Sequence, residues 1–338
     1  MDDQPKVVAI TGASGYIGAR LLRELQSRPY VGSLVAFDVN PLKSPQPPST
    51  QEGQWEAPDA GPTSSSYSIV AYQQDLTRPI TDALRRHGVT TLVHLAHIIK
   101  PGRDQHEIKA IRHTNLNALE TVVESCAGAG VRHIIYLSSH TVYGARKENP
   151  IPLTEAMPPH PLPGFPYGYD KFLAEQVLQE FSERHPMIAV TILRTCVVLG
   201  PGANNYITRA FFRPLLLGIV GCDPPLQFLH EDDLARILTI IIQRVLPGVF
   251  NVAGGGVVHY RDAVKTARRN LVTLPASLAY PLVQLTWRLG IQRDGNAAGL
   301  NLIRYPIVMS TEKLKQSTGY QFQHTSLGAL SAFANGSC

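Results

Sequence analysis

Residues 7–18 read Val-Val-Ala-Ile-Thr-Gly-Ala-Ser-Gly-Tyr-Ile-Gly, and their order decides the fold. Val7 to Thr11 form a short apolar run of the kind that makes a buried strand. Gly12, Gly15 and Gly18 follow at Gly-x-x-Gly-x-x-Gly spacing, and a helical pattern runs on to Gln26. Glycines allow a tight turn and close approach of the backbone to an anion. The helix start beyond them offers unpaired N–H groups and the positive end of its dipole. A strand, this turn and then a helix read as a cradle for a dinucleotide pyrophosphate rather than an ordinary glycine-rich turn. Ser14, Tyr16 and Ile17 lie between the glycines and complete the expected contact surface.

Working outward, further strand patterns fall at 34–38, 68–72, 91–96, 133–138 and 188–194, rich in Val and Ile and nearly continuous in apolar character. Such strands are buried on both faces. Helical patterns lie between them at 18–26, 80–87, 108–127 and 168–184. Strand–helix alternation predicts an α/β fold, a Rossmann-type doubly wound parallel sheet. After Gly200-Pro201 the rhythm changes: a helix is expected near 205–217, a strand at 226–230, a helix at 232–245 and a strand at 249–252. Residues 1–200 are thus expected to form the dinucleotide-binding domain. Residues 201–338 form a smaller mixed substrate-binding portion, with about 226–255 returning to the first domain. Residues 41–67, rich in Pro, Ser and Gly, read as a long flexible loop.

Composition sets bounds. The 338 residues are 44% hydrophobic and 17% charged, with a formal net charge of +5. No dense Lys/Arg block is present, so nucleic acid is not an expected partner. The four cysteines (Cys126, Cys196, Cys222, Cys338) have no metal-ligand spacing and predict reduced thiols in a cytoplasmic protein without a metal. The start runs straight into a strand and does not read as a signal peptide. No stretch of about 18 uninterrupted apolar residues occurs, so no membrane contact is expected. Residues 271–289 are apolar enough to touch a membrane, but Pro275, Pro281 and Arg288 interrupt them, and a core or lid helix is the reading preferred here.

Asp38 ends the second strand, twenty positions after Gly18. A carboxylate there accepts hydrogen bonds from adenosine ribose hydroxyls and repels the extra phosphate of NADP, so NAD is favoured. Lys43 softens that preference. Asp75-Leu76, after the third strand, is placed near the adenine, with an acid capping the next helix as the competing reading. Leu95-Ala96-His97 lies at the carboxyl edge of the sheet, where a dinucleotide crosses. His97 is read as a hydrogen-bonded wall residue in preference to a catalytic one.

The segment Pro-Tyr-Gly-Tyr-Asp-Lys holds Tyr167 and Lys171, four apart and therefore on one helix face. A free tyrosine titrates near ~10, and a neighbouring cation favours phenolate. Tyr167 is thus the expected acid/base for hydride transfer with a nicotinamide. Tyr169 is a weaker candidate, because its four-on partner is Leu173. Ser139, at the end of the fifth strand, is the expected hydroxyl beside the reacting oxygen, with Ser138 and Thr141 behind it.

These segments occur in the order TGASGYIG, Asp38, Asp75-Leu76, HLAH, Asn115, LSSHTVYG, Tyr167/Lys171, LRTCVVLGP, FLHEDDLA and FNVAGG. In that order the chain resembles the NAD-dependent epimerase/dehydratase family, the extended short-chain dehydrogenases/reductases, over about residues 5–255. The resemblance implies that Asn115 helps hold the cofactor and that Ser139, Tyr167 and Lys171 are the catalytic set. It also implies a homodimer formed through the helices at 108–127 and 168–184. Two features depart from members acting on nucleotide sugars. Val197 stands where they usually carry asparagine, and Leu226-Gln227 where they carry Arg-Asp. Arg209 and Arg213 are possible replacements for the missing cation.

The function these residues favour is an NAD-dependent oxidoreductase acting on a secondary alcohol or ketone of a largely apolar small molecule. A nucleotide-sugar epimerase or dehydratase is the alternative. A non-catalytic NAD-binding regulator is the third reading, and Ser139, Tyr167 and Lys171 argue against it.

Overall fold

The computed structural model describes residues 5–42, 69–100, 102, 104–203, 208, 213–292 and 295–336. Most of the 41–67 loop, Lys43, Arg209 and Cys338 lie outside these residues.

The first unit is strand β1 (Lys6–Thr11), helix α1 (Tyr16–Leu25), β2 (Val31–Asp38), β3 (Ile69–Gln73), α2 (Thr81–Arg86) and β4 (Thr91–His94). It continues with α3 (Gln105–Ala129), β5 (His133–Ser139), α4 (Pro166–Arg184) and β6 (Ala189–Thr195). The chain then forms β7 (Val197–Leu199), β8 (Leu215–Ile219), β9 (Pro225–Leu226), β10 (Phe228–His230), α5 (Glu231–Arg244) and β11 (Gly248–Val252). Last come β12 (Val258–His259), α6 (Tyr260–Thr266), β13 (Asn270–Leu274), α7 (Ala276–Arg288), α8 (Glu312–Thr318) and α9 (Ser326–Gly336).

Seven parallel strands form the main sheet in the order β11-β6-β5-β4-β1-β2-β3. The doubly wound α/β fold is therefore present, and its strand order reverses between β1 and β4. One face carries a core of Val8, Ile10, Leu21, Leu34, Ile135, Leu238 and their neighbours beneath α1 and α5. The other carries Ala9, Val35, Leu92, Leu119, Ile134 and Phe181 beneath α2, α3 and α4. Alternate residues of one strand, such as Ala9 and Ile10, thus fill opposite cores, which is why these strands read as continuous apolar runs.

Three expectations change. The helix expected near 205–217 is overturned at its described end, where 215–219 is strand β8, paired in parallel with β13. Pro214 in front and Gly221 behind bound a short apolar run, Leu-Leu-Leu-Gly-Ile, and such a run suits a strand. The single strand expected at 226–230 breaks at Gln227. Leu226 pairs antiparallel with Val258, while Phe228–His230 pairs in parallel with β7. Gln227 turns its amide onto the backbone of Met309, at 2.7 Å from the Met309 N–H. The fourth strand stops at His94 rather than Ala96, since Gly12 packs against the backbone of Leu95 and Ala96. Among the described residues no helix is long and apolar enough to cross a membrane.

Candidate active site

The glycine turn is sterically determined. Gly12 has φ of +69°, and a Cβ there would stand 2.7 Å from the Ala96 nitrogen. A Cβ on Gly18 would collide with the carbonyl of Gly12. No side chain caps the start of α1, whose N-cap is Gly15, so its first N–H groups point at whatever sits in the turn. The turn therefore lets an anion such as a pyrophosphate approach the backbone closely.

Asp38 sits beside that turn. Its Oδ2 accepts from the Ser14 N–H at 2.9 Å and its Oδ1 from the Asn40 N–H at 2.9 Å. The carboxylate is thus fixed at the carboxyl edge of β2, beside the glycine turn. The Ser14 side chain turns away to the carbonyls of Asn40 and Pro41. Tyr16 and Ile17 turn their side chains into neighbouring cores, Tyr16 against Leu199 and Phe228 and Ile17 into the cluster beneath α1, leaving their backbone for a ligand. Asp75 accepts from the Thr77 N–H at 3.0 Å and hydroxyl at 2.9 Å, and these bonds lower its pKa. It caps a turn rather than a helix, for α2 starts only at Thr81. Leu76 is buried in the core below α2.

Asn115 holds the loop after β4. Its Oδ1 accepts from the Ile98 N–H at 2.8 Å, and its amide reaches the Ile98 carbonyl and His97 Nε2 at 3.3 and 3.5 Å. His97 stands edge-on to Tyr167, ring centroids 5.7 Å apart. Burial and the nearby Lys171 charge hold His97 well below its ordinary pKa, so it remains a neutral wall beside the phenol.

Tyr167 begins the helix α4, which opens on Pro166 and needs no donor there. Ser139 ends β5, with its Oγ accepting from the Thr141 N–H at 3.2 Å and hydroxyl at 2.9 Å. The same Oγ lies 3.5 Å from His140 Nδ1. Burial pushes the Tyr167 phenol up to about 12, with the nearby Ser139 hydroxyl opposing.

Lys171 corrects one expectation. Its Nζ donates to the Leu137 carbonyl at 2.8 Å and the Tyr136 hydroxyl at 3.2 Å, and lies 6.0 Å from the Tyr167 ring centroid. Burial lowers its pKa to about 7, with Glu175 and Asp170 opposing. A largely desolvated amine at this distance does not pull Tyr167 toward phenolate. The phenol therefore stands as an acid, opposite to the shift expected from spacing alone. Tyr169 faces α3, where Arg112 lies 4.8 Å over its ring, and Arg112 in turn bonds Asp170 at 2.5 Å.

Sequence reasoning missed the buried polar chain behind the site. Glu175 takes Arg194 on both oxygens, the shorter contact 2.6 Å, and accepts from Ser138 at 2.5 Å. Arg194 donates onward to the Tyr143 hydroxyl at 2.8 Å, which donates to Asn251 at 2.9 Å. This ties β5, α4, β6 and β11 together beneath Ser139, Tyr167 and Lys171. His94 was missed too: it bonds Thr11 at 2.9 Å, and burial lowers its pKa to about 3, keeping it neutral. The signal available was Glu175, one helical turn beyond Lys171 on the same face.

A cleft open at its mouth lies against Tyr167 and His97. Ile98, Ile99, Ile108, Ile111, Phe165 and Trp287 supply its apolar walls. Lys100 at its edge is paired with Glu107 at 2.9 Å.

With the glycine turn, the acid on β2 and the Ser139/Tyr167/Lys171 cluster placed on one sheet edge, the class is an extended Rossmann-fold dehydrogenase/reductase. The chain belongs to the NAD dependent epimerase/dehydratase family, whose model matches residues 8–253. The family's dependence on NAD agrees with the cofactor reached from the sequence. An uncharacterized protein of Mycobacterium tuberculosis is 27% identical over 98% of this chain and 84% of its own length. UDP-glucose 4-epimerase of Erwinia amylovora is 26% identical over 68% of this chain and 71% of that protein. Human 3 beta-hydroxysteroid dehydrogenase type 7 is 28% identical over 62% of this chain and 54% of its own. Among solved structures, MoeE5 in complex with UDP-glucuronic acid and NAD superposes with a TM-score of 0.71 at 22% identity, covering 98% of both chains.

Proposed function

We propose that this protein is an NAD-dependent oxidoreductase that interconverts a secondary alcohol and a ketone on a largely apolar small molecule. The observation that carries the reading is the apolar cleft opening directly onto Tyr167. NAD supplies the hydride acceptor or donor. Gly12, Gly15 and Gly18 admit its pyrophosphate, Asp38 receives its adenosine ribose, and Lys171 receives the nicotinamide ribose. Ser139 donates to the reacting oxygen and holds it against Tyr167. Tyr167 gives its proton to that oxygen in reduction and takes it back in oxidation. The neutral phenol suits the first of these directions at neutral pH.

A nucleotide-sugar epimerase or dehydratase is the second reading, favoured by the similarity to UDP-glucose 4-epimerase and to MoeE5. Against it, a diphosphate needs cationic or N–H donors, and Gln227 spends its amide on Met309. A thermal-shift and NADH-fluorescence panel separates the two. Apolar ketones should raise the unfolding midpoint and consume NADH. A large shift with a UDP- or TDP-sugar, and none with the ketones, overturns the first reading.

A further inference from the structure

Helix α4 brings a second polar group to the cleft besides the phenol of Tyr167. Asp170 stands three positions further on, so the two side chains are neighbours on the helix surface, with Cβ atoms about 5–6 Å apart. Both line the cleft. Asp170 is 4% exposed. Its Oδ1 accepts from the Arg112 Nε–H at 2.5 Å. Its Oδ2 has no hydrogen-bond partner among the described residues, and it is not sealed from solvent either. One oxygen of a nearly buried carboxylate is thus left as an open acceptor at the cleft wall.

Other polar side chains at this wall are engaged. Lys100 pairs with Glu107 at 2.9 Å. Asn296 donates its amide to the Gly164 carbonyl at 2.7 Å and accepts from the Ala298 N–H at 3.0 Å. Solvent can serve Asp170 Oδ2 while the cleft is open, but a molecule that fills the cleft shuts solvent out. A molecule without a donor then leaves a carboxylate oxygen desolvated and unpaired, which is costly. A molecule with a hydroxyl at that point replaces the lost bond. Sites built to bond a hydroxyl reject the analogue that lacks it for this reason. Arg112 already balances the Asp170 charge at contact distance. A neutral hydroxyl therefore suits Oδ2 better than an ammonium, which would also meet the like charge of Arg112.

We propose that Asp170 Oδ2 accepts a hydrogen bond from a second hydroxyl of the substrate, so that the cleft selects apolar hydroxyketones over plain ketones. This rests on the reaction proposed above and narrows its substrate class. The reacting carbonyl meets Tyr167, and the second hydroxyl lies within a few bonds of it, because less than one helical turn separates the two residues. Asp170 is then a specificity-determining residue, and Arg112 is a positioning residue that orients its carboxylate from α3.

Isothermal titration of the NAD-loaded protein tests this with benzylacetone, its α-hydroxy and β-hydroxy derivatives, and the β-amino analogue. With NAD bound, no hydride is available to a ketone, so binding is read apart from turnover. At least one hydroxy derivative should bind about ten-fold or more tightly than benzylacetone. Asp170→Asn keeps an acceptor for Arg112 and puts an N–H donor in place of Oδ2, and it should abolish that preference. Arg112→Gln removes the charge pair but leaves Oδ2, and it should keep most of the preference; a merely structural Asp170 would make the two variants behave alike. Equal binding of plain and hydroxylated ketones by wild type overturns the proposal, and so does absence of binding by every compound. A preference that survives Asp170→Asn, or tighter binding of the amine than of both hydroxy derivatives, overturns it as well. NADH consumption is measured separately. Consumption without a hydroxyl preference sinks this inference alone, and a preference without consumption sinks the proposed reaction alone.

Discussion

Lys171 donates its ammonium to the hydroxyl of Tyr136, 3.2 Å away, and the same nitrogen lies 4.6 Å over that ring. The lysine is thereby fixed on the sheet side of α4, and burial brings its pKa from 10.5 to about 7. The unfolded chain keeps the ordinary value. Between about pH 7 and 10.5 the unfolded state therefore holds a proton that the folded state has lost, and stability rises with pH through that interval. Lys171→Met removes this dependence. The variant should be more stable than wild type at pH 7, by on the order of 4 kcal/mol before the loss of the lysine's two hydrogen bonds, with the gap closing toward pH 10.5. Chemical denaturation across that range is the measurement, and a gap that widens with pH contradicts the burial argument.

Tyr167→Phe removes only the phenolic oxygen. Turnover should fall by about 10²- to 10⁴-fold, while NAD affinity, read by fluorescence titration, stays near wild type. Retained turnover would sink the assigned acid/base role.

In the proposed function Asp38 selects the dinucleotide. Asp38→Ala frees the Ser14 and Asn40 N–H groups and removes the charge facing a 2′-phosphate. NAD affinity should drop by about ten-fold or more, while NADP affinity should hold or improve. Isothermal titration with both cofactors measures this, and a wild-type preference for NADP would refute it.

Glu175→Ala leaves Arg194 charged in a buried site with only Tyr143 beside it. Breaking one partner of such a pair costs about 3–5 kcal/mol. The same loss should appear for Arg194→Ala, and the double variant should cost clearly less than the sum of the two. Additive losses in a double-mutant cycle would mean that the pair does not act as a unit.

Glu231, at the start of α5, lies over Gly200 with its Oε2 buried and without a hydrogen-bond partner. Burial and the neighbouring Asp232 raise its pKa from 4.5 to about 7. The folded state keeps this proton while the unfolded state loses it near pH 4.5, so stability present in acid is lost as pH rises toward 7. Glu231→Gln should match wild type near pH 4.5 and exceed it above pH 7 by about 1–2 kcal/mol. Thermal melts at the two ends test it.

The sheet was legible because its determinants are local. A buried parallel strand must be apolar on both faces, and a glycine turn needs its three glycines, so 7–18 and the strands that follow announce themselves. Tyr167 and Lys171 were legible because four residues is one helical turn. The lysine's hydrogen bonds were not, because Tyr136 and Leu137 approach it from strand β5, 34 to 35 residues away in sequence. For the same reason Arg194 on β6 gave no hint of Glu175 on α4. Residues 215–219 misled because a short apolar run carries no period that separates a strand from a helix. The apolarity of α7 was visible, but that Leu278, Leu282 and Leu285 stay exposed while Ala279 is buried depends on what packs against the helix, which no local pattern encodes.

The main sheet closes on β11, which joins β6 only at Gly248, 53 positions after β6 ends at Thr195. On a ribosome adding about 5–20 residues per second, that interval lasts about 3–10 s. Throughout it the nascent chain presents the unpaired edge of β6, which carries Ile192 and Leu193 and is a template for strand addition. The first six strands are by then already synthesised. This chain therefore has a timed window of vulnerability during its own synthesis, in which a chaperone that covers one strand edge is worth more than any later repair.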